Sequence, residues 1–347
     1  MRAADRDSRV AEIARRLGVA GGEGVVGAIL AFCRRLVEGW ALEDGGVRSV
    51  QELEQLVCRR LHLEFQEFYH QEELDSIVRS HVDAGDVVFA SLPSLFDDET
   101  FATLIRCRAR SVLPRQRYVA VIDCSGAKAH RRWFSRWHEI AHLLTLDGPT
   151  EVQPVHRSTS AHSAVERLMD KIAAEIGFFE PLFAPVFGAE VLSRGRLDFA
   201  AIDLVRRRYA VEASFQATAI ACLRRWPKPA MYLEAGLGMT AAEARQFDRE
   251  PIPAKRPTPK LRVLKVIGND VAGKLARRPV RHMQVPVQSI IHRLFFSRES
   301  IPPGATLVNA EDLSQWRSSS GQQLPACPIA VEARTGRRHI EAFIQVI

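Results

Sequence analysis

Arg131–Leu146 reads RRWFSRWHEIAHLLTL. Trp133, Phe134, Trp137, Ile140, Ala141, Leu143 and Leu144 recur at helical spacing, which predicts a mostly buried helix inside a longer one over about Ala129 to Leu146. His138-Glu139-Ile140-Ala141-His142 lies within it. Residues four apart share a helix face, so both imidazoles can reach one metal ion. Glu139 then stands next to a water that the ion polarises and can take its proton. An H-E-x-x-H run arises by chance in roughly 2% of chains of this length and composition. Burying two imidazoles and a carboxylate among tryptophans and leucines is costly unless something satisfies them. The competing reading is a pair of hydrogen-bonded core histidines with a buried ion pair.

A catalytic zinc needs a third protein ligand and an open position for water. Glu166 is the residue chosen here, 24 residues beyond His142 at the start of VERLMDKIAAEIGFF, which has helical period. Asp170 follows four residues on, on the same face, where it can accept the free ring N–H of a zinc-bound histidine and fix its tautomer. His156, His162, Glu151 and Asp147 compete with Glu166 for the third position. The third histidine of the H-E-x-x-H-x-x-G-x-x-H pattern is absent, which argues against a metzincin. His156, His162 and Tyr118 are candidate partners for a developing oxyanion.

Either side of these helices the texture varies. Residues 5 to 44 and Ser49 to His62 read as helices, with Gly21, Gly22 and Gly24 as breaks. Asp86 to Ala90, Phe101 to Arg108 and Arg117 to Asp123 read as strands. Helices are expected from Ala164 to about Phe247. Phe199 to Trp226 fits helix, turn, helix, with Tyr209, Val211 and Phe215 packing the turn and arginines outside. As a DNA reader it offers mainly Gln216 and Thr218, so a structural role is preferred. REPIPAKRPTPKLR, from Arg249, has four prolines and reads as a linker. Beyond it LRVLKVIG, MQVPVQSIIHRLFF, ATLV, PIAVEA and HIEAFIQVI read as strands of a separate domain.

The 347 residues are 46% hydrophobic and 26% charged, which excludes a fibrous or wholly disordered chain. Six cysteines without a C-x-x-C pair predict reduced thiols and a cytoplasmic protein. No signal peptide or membrane-spanning run is expected. Arginine outnumbers lysine 41 to 7, the codon signature of a GC-rich bacterial genome. Of the net charge of +7, Arg249 to Glu299 holds twelve Lys/Arg against three Asp/Glu, so the remainder is slightly acidic. That stretch is either a solvated surface or a footprint for nucleic acid or an acidic partner.

RRWFSRWHEIAHLL followed by VERLMDKIAAEIGFF resembles the ImmA/IrrE-type family of bacterial metallopeptidases. Glu166, Asp170 and Ala173 fall on the family's second-helix pattern, whereas Met169 stands for the usual Ala and Ile172 for the usual Phe. Gly177-Phe178-Phe179-Glu180-Pro181 replaces the usual Leu-Met-Pro ending. The resemblance covers about residues 50 to 225. It implies an α+β, mostly helical gluzincin-like core with a small sheet, one Zn2+ on His138, His142 and Glu166, and Glu139 as general base. It also implies endopeptidase activity on a protein partner such as a transcriptional regulator or a toxin-like protein, in a stress or phage-related response. The layout expected is an N-terminal helical extension (1–45), a peptidase domain (46–195), a helical module (196–248), a linker (249–261) and a β-rich, sensor-like domain (262–347). The alternative is a DNA-binding or scaffold regulator with a structural or degenerate zinc site. The favoured partner is a protein, with nucleic acid second.

Overall fold

The structure is a computed structural model, and it describes residues 7–19, 24–107, 118–145, 152–157, 163–250, 252, 255–275, 278–297, 302, 304–317, 321–336 and 339–347, with backbone alone for 152–157. The fold is mixed α+β with two sheets. The chain forms two compact units, Met1–Val186 with Arg206–Ala217, and Phe187–Val205 with Thr218–Ile347.

The first unit opens with helices α1 (Ser8–Arg16), α2 (Val25–Glu43) and α3 (Val50–Leu61). Ser49 caps α3 by accepting from the Glu52 N–H, while the Glu52 carboxylate accepts from the Arg48 N–H. Strand β1 (Leu63–Phe68), helix α4 (Gln71–Asp83), a 3-10 turn at Val87–Ser91 and the short α5 (Leu92–Leu95) follow. Strands β2 (Thr100–Arg106) and β3 (Tyr118–Asp123) lead through a 3-10 turn at Gly126–Arg131 into α6 (Arg132–Leu144). Strand β4 (Val152–Arg157) and helix α7 (Ala164–Gly177) complete the set. The sheet order is β1-β3-β2-β4, with β1 and β3 parallel and the other pairs antiparallel.

Alternation along β3 sends its side chains to two cores. Val119 and Val121 join Phe68, Leu74, Phe89 and Leu92 under α4 and the first 3-10 turn. Ile122 joins Ala102 and Cys124 in another cluster. Helix α6 packs on β2, β3, α3 and α7. Its start is tied to the sheet by Lys128, whose ammonium donates to the carbonyls of Asp97 and Thr100 and to Asp123 Oδ2 at 2.7 Å. Its polar face is tied by Arg132 and Arg136, which pair with Glu67 and with Glu212.

The division between the units falls within α8 (Glu180–Glu190), α9 (Phe199–Tyr209) and α10 (Phe215–Arg225). The second unit then adds β5 (Ala230–Gly238), α11 (Ala241–Arg249), β6 (Lys260–Gly268), α12 (Asp270–Gly273), α13 (Ile290–Phe296), β7 (Thr306–Asp312), β8 (Pro328–Thr335) and β9 (Ile340–Val346). Its sheet runs β6-β5-β9-β8-β7, antiparallel throughout. One face packs Met231, Leu233 and Val331 against Ile290, Ile291 and Leu294 of α13. On the other, Phe343 meets the Phe199 ring edge-on at 4.9 Å between centroids and the Tyr232 ring at a tilt at 5.3 Å.

Several expectations need correcting. Asp86 to Ala90 is not a strand: Phe89 and Leu92 are fully buried three residues apart, a helical spacing, and the segment turns as a 3-10 helix. The second half of MQVPVQSIIHRLFF is helix α13, capped by Ser289 and by Glu311, which accepts from the Ile290 N–H at 2.8 Å. Helix does not continue to Phe247, because β5 intervenes. That strand pairs with β6 and β9, so the proline-rich stretch from Arg249 lies inside the second unit rather than between domains. Pro251 and Pro253 of that stretch lie outside the described residues. Val211 does not pack the turn before α10; it is 58% exposed. Part of the basic excess is neutralised internally, with Arg262 paired to Glu243 at 2.7 Å and Lys265 to Glu234 at 3.7 Å.

Candidate metal centre

Helix α6 presents His138 and His142 one turn apart, and both are buried. Helix α7 lies against it. Ser163 caps α7 by accepting from the Glu166 N–H at 3.1 Å, which sets Glu166 in the first turn. A glutamate at this position often reaches back toward its cap. Here the carboxylate faces the imidazoles, with Oε2 at 3.1 Å from His138 Nε2 and Oε1 at 3.7 Å from His142 Nε2. The two Nε2 atoms are 3.2 Å apart. One ligand atom each from His138, His142 and Glu166 lies within 4.8 Å of the others.

Asp170, one turn further along α7, lies with Oδ1 3.0 Å from His138 Nδ1. A carboxylate only accepts, so Nδ1 carries a hydrogen, and a ring that gives up its second proton does so at Nε2, which then offers the lone pair. Just past the end of α6, the Thr145 hydroxyl shares its one hydrogen between the Ala141 and His142 carbonyls, each at 3.0 Å, and lies 3.5 Å from the Met169 sulfur. Met169 thus fills the space between α7 and the end of α6.

The electrostatics place a positive charge on His138 and none on His142. Burial opposes a charge on His138, but the Asp170 and Glu166 carboxylates outweigh it and raise the ring to about 9. Burial lowers His142, against the pull of Glu166, and keeps it neutral. Burial also opposes ionisation of Glu166, yet its bonds to the two histidines hold it well below the usual carboxylate range. Glu139 is fully buried, and desolvation pushes it up to about 8. A single proton on His138 therefore sits where three donor atoms converge. Two imidazole nitrogens and a carboxylate oxygen are the donor set of a catalytic zinc, and a divalent cation fits that place.

All five residues singled out in the sequence come together here. Among the competing ligands, His156 lies in β4, where only backbone is described, and Asp147, Glu151 and His162 fall outside the described residues. Tyr118 begins β3 beside Leu63 and Arg106, at the far end of that strand from Asp123. Of the two side chains offered to DNA, Thr218 is buried. Ser163 is legible as a cap, since Ser163-Ala164-Val165-Glu166 has the spacing of a helix start. No single helix among the described residues is long and apolar enough to cross a membrane. Scans of the chain against models of known protein families and against curated proteins find no match.

Proposed function

We propose that this protein is a zinc-dependent endopeptidase of the gluzincin type, of the kind found in the ImmA/IrrE family, acting on a protein substrate. The observation that carries the reading is the convergence of His138, His142 and Glu166 on one point beside the buried Glu139. Zinc, when bound there, polarises a scissile carbonyl and acidifies water. His138 and His142 offer neutral nitrogens, Glu166 offers the anionic oxygen, and Asp170 holds the His138 ring in the tautomer that ligates.

Glu139 is the proton carrier. Raised to about 8 by burial, it keeps its proton at neutral pH in the metal-free chain, and a dication beside it favours the ionised form. As water oxygen bonds to the carbonyl carbon, Glu139 takes the water proton. It gives that proton to the nitrogen as the C–N bond breaks, leaving a carboxylic acid and an amine.

Zinc content and cleavage of a proteome-derived peptide library are to be measured in the same preparation. The expected result is about one zinc on the three ligands, lost in His138→Ala and His142→Ala. Glu139→Gln should keep the zinc and cut about 10²- to 10⁴-fold more slowly. Equal peptide termini from wild type and Glu139→Gln, or a wild type without zinc at this site, would overturn the reading.

A further inference from the structure

We propose that His81, Asp86 and Cys107 form a second metal site, which takes a thiophilic divalent ion such as zinc and ties the end of α4 to the end of β2. One ligand atom from each lies within 4.8 Å of the other two. The three come from the last turn of α4, the loop after it and the residue following β2. They share no residue with the His138 cluster.

The surroundings orient these donors. The Asp86 N–H donates to the His81 carbonyl at 2.9 Å, folding the loop back over the helix end. Asp86 is buried, and one of its carboxylate oxygens lies within 4.8 Å of the Cys107 sulfur. A cation that displaces the thiol proton joins sulfur and oxygen directly. Phe89 stacks on the His81 ring at 3.8 Å between centroids, nearly parallel, which fixes the plane in which its two nitrogens bond.

A relay of side chains then selects the nitrogen. The Gln66 amide donates to Glu64 Oε1 at 3.3 Å, which leaves Gln66 Oε1 facing His81 Nε2 at 3.1 Å. The oxygen accepts, so Nε2 carries the hydrogen and Nδ1 keeps a lone pair. Outer partners prepare a metal-ligating histidine in this way. Imidazole nitrogen, carboxylate oxygen and a cysteine sulfur suit zinc and its neighbours, while the sulfur disfavours magnesium and calcium.

The test loads the full chain with excess zinc, removes what is loosely held and counts ions per chain. Two are expected in wild type, one in Cys107→Ser and one in His142→Ala. Cobalt(II) in place of zinc supplies a second readout, because only this site has a sulfur ligand. A thiolate-to-cobalt charge-transfer band should appear in wild type and in His142→Ala, and vanish in Cys107→Ser. The wild-type and His142→Ala spectra decide the matter even if Cys107→Ser does not fold. A wild type whose only ion is lost in His142→Ala, or a cobalt spectrum without the thiolate band, overturns the second site and leaves the first untouched.

Discussion

Asp170 reaches the His138 cluster through one ring nitrogen, and its side chain is 45% exposed. Removing it should therefore leave the fold intact. Asp170→Ala is expected to weaken zinc binding about 10- to 100-fold, read by competition with a coloured chelator, with an unchanged far-ultraviolet spectrum. Glu332 in β8 is the opposite case, a buried carboxyl with no part in that cluster. Burial raises it from 4.5 to about 7, helped by Asp198 and opposed by the Phe199 N–H, Arg196 and Arg334. A folded value above the unfolded one means that the native chain binds the proton more tightly. The stability this gives is full below pH 4.5 and is lost as pH rises through about 7, a change of roughly 3 kcal/mol. Glu332→Gln keeps an acceptor for the Phe199 N–H and should flatten that dependence in urea titrations at pH 5 and pH 8. The carboxylates and histidines of the centre were legible from i, i+4 spacing. Nothing in the sequence marks Glu332, whose environment is assembled from Asp198, Phe199 and Arg334 across the fold.

Helices α6 and α7 meet closely because α7 ends on a glycine. A Cβ at Gly177 would stand 2.9 Å from the Trp133 ring and 3.1 Å from the Trp137 ring. Both tryptophans are buried, so neither has room to yield. Gly177→Ala is expected to destabilise by about 1 to 3 kcal/mol and lower the melting temperature. Gly188→Ala in α8 is the control, since its Cβ meets nothing within 4 Å and alanine favours helix. These amphipathic helices were readable from their period. Strand β5 was not, because Met231, Leu233 and Ala235 pack on one face while Ala230 and Tyr232 are buried on the other. A strand covered on both sides loses its alternation and reads like a buried helix. Helix α13 was missed for the converse reason: Ile290 and Ile291 are β-branched neighbours, and the Ser289 cap that starts the helix is a weaker signal than the apolar run.

At the scale of the whole chain, the proline-rich stretch after Arg249 connects α11 to β6 within the second unit. A protease that cuts between Arg249 and Arg262 should give two fragments that stay together on gel filtration, because β5 on one side of the cut pairs with β6 and β9 on the other. Separation of the fragments under native conditions would show that the pairing does not hold the unit. A chain ending at Arg249 should instead be poorly soluble, since β5 would lose both neighbours and expose Met231, Leu233 and Ala235. The sequence located the stretch by its prolines but took it for a domain border. Prolines mark where a helix or strand stops, and they are equally suited to a loop inside a sheet and to a connector between bodies.

The strand order β6-β5-β9-β8-β7 also bears on how the protein is made. The ribosome delivers β9 after the other four, yet β9 occupies the middle of the sheet, between β5 and β8. Until it emerges, the nascent chain holds two separate hairpins, β5–β6 and β7–β8, each with an edge waiting for the same absent strand. Translation finishes the first unit well before it finishes this sheet. The interval between them is when a chaperone, or a stray strand from another nascent chain, has its opportunity.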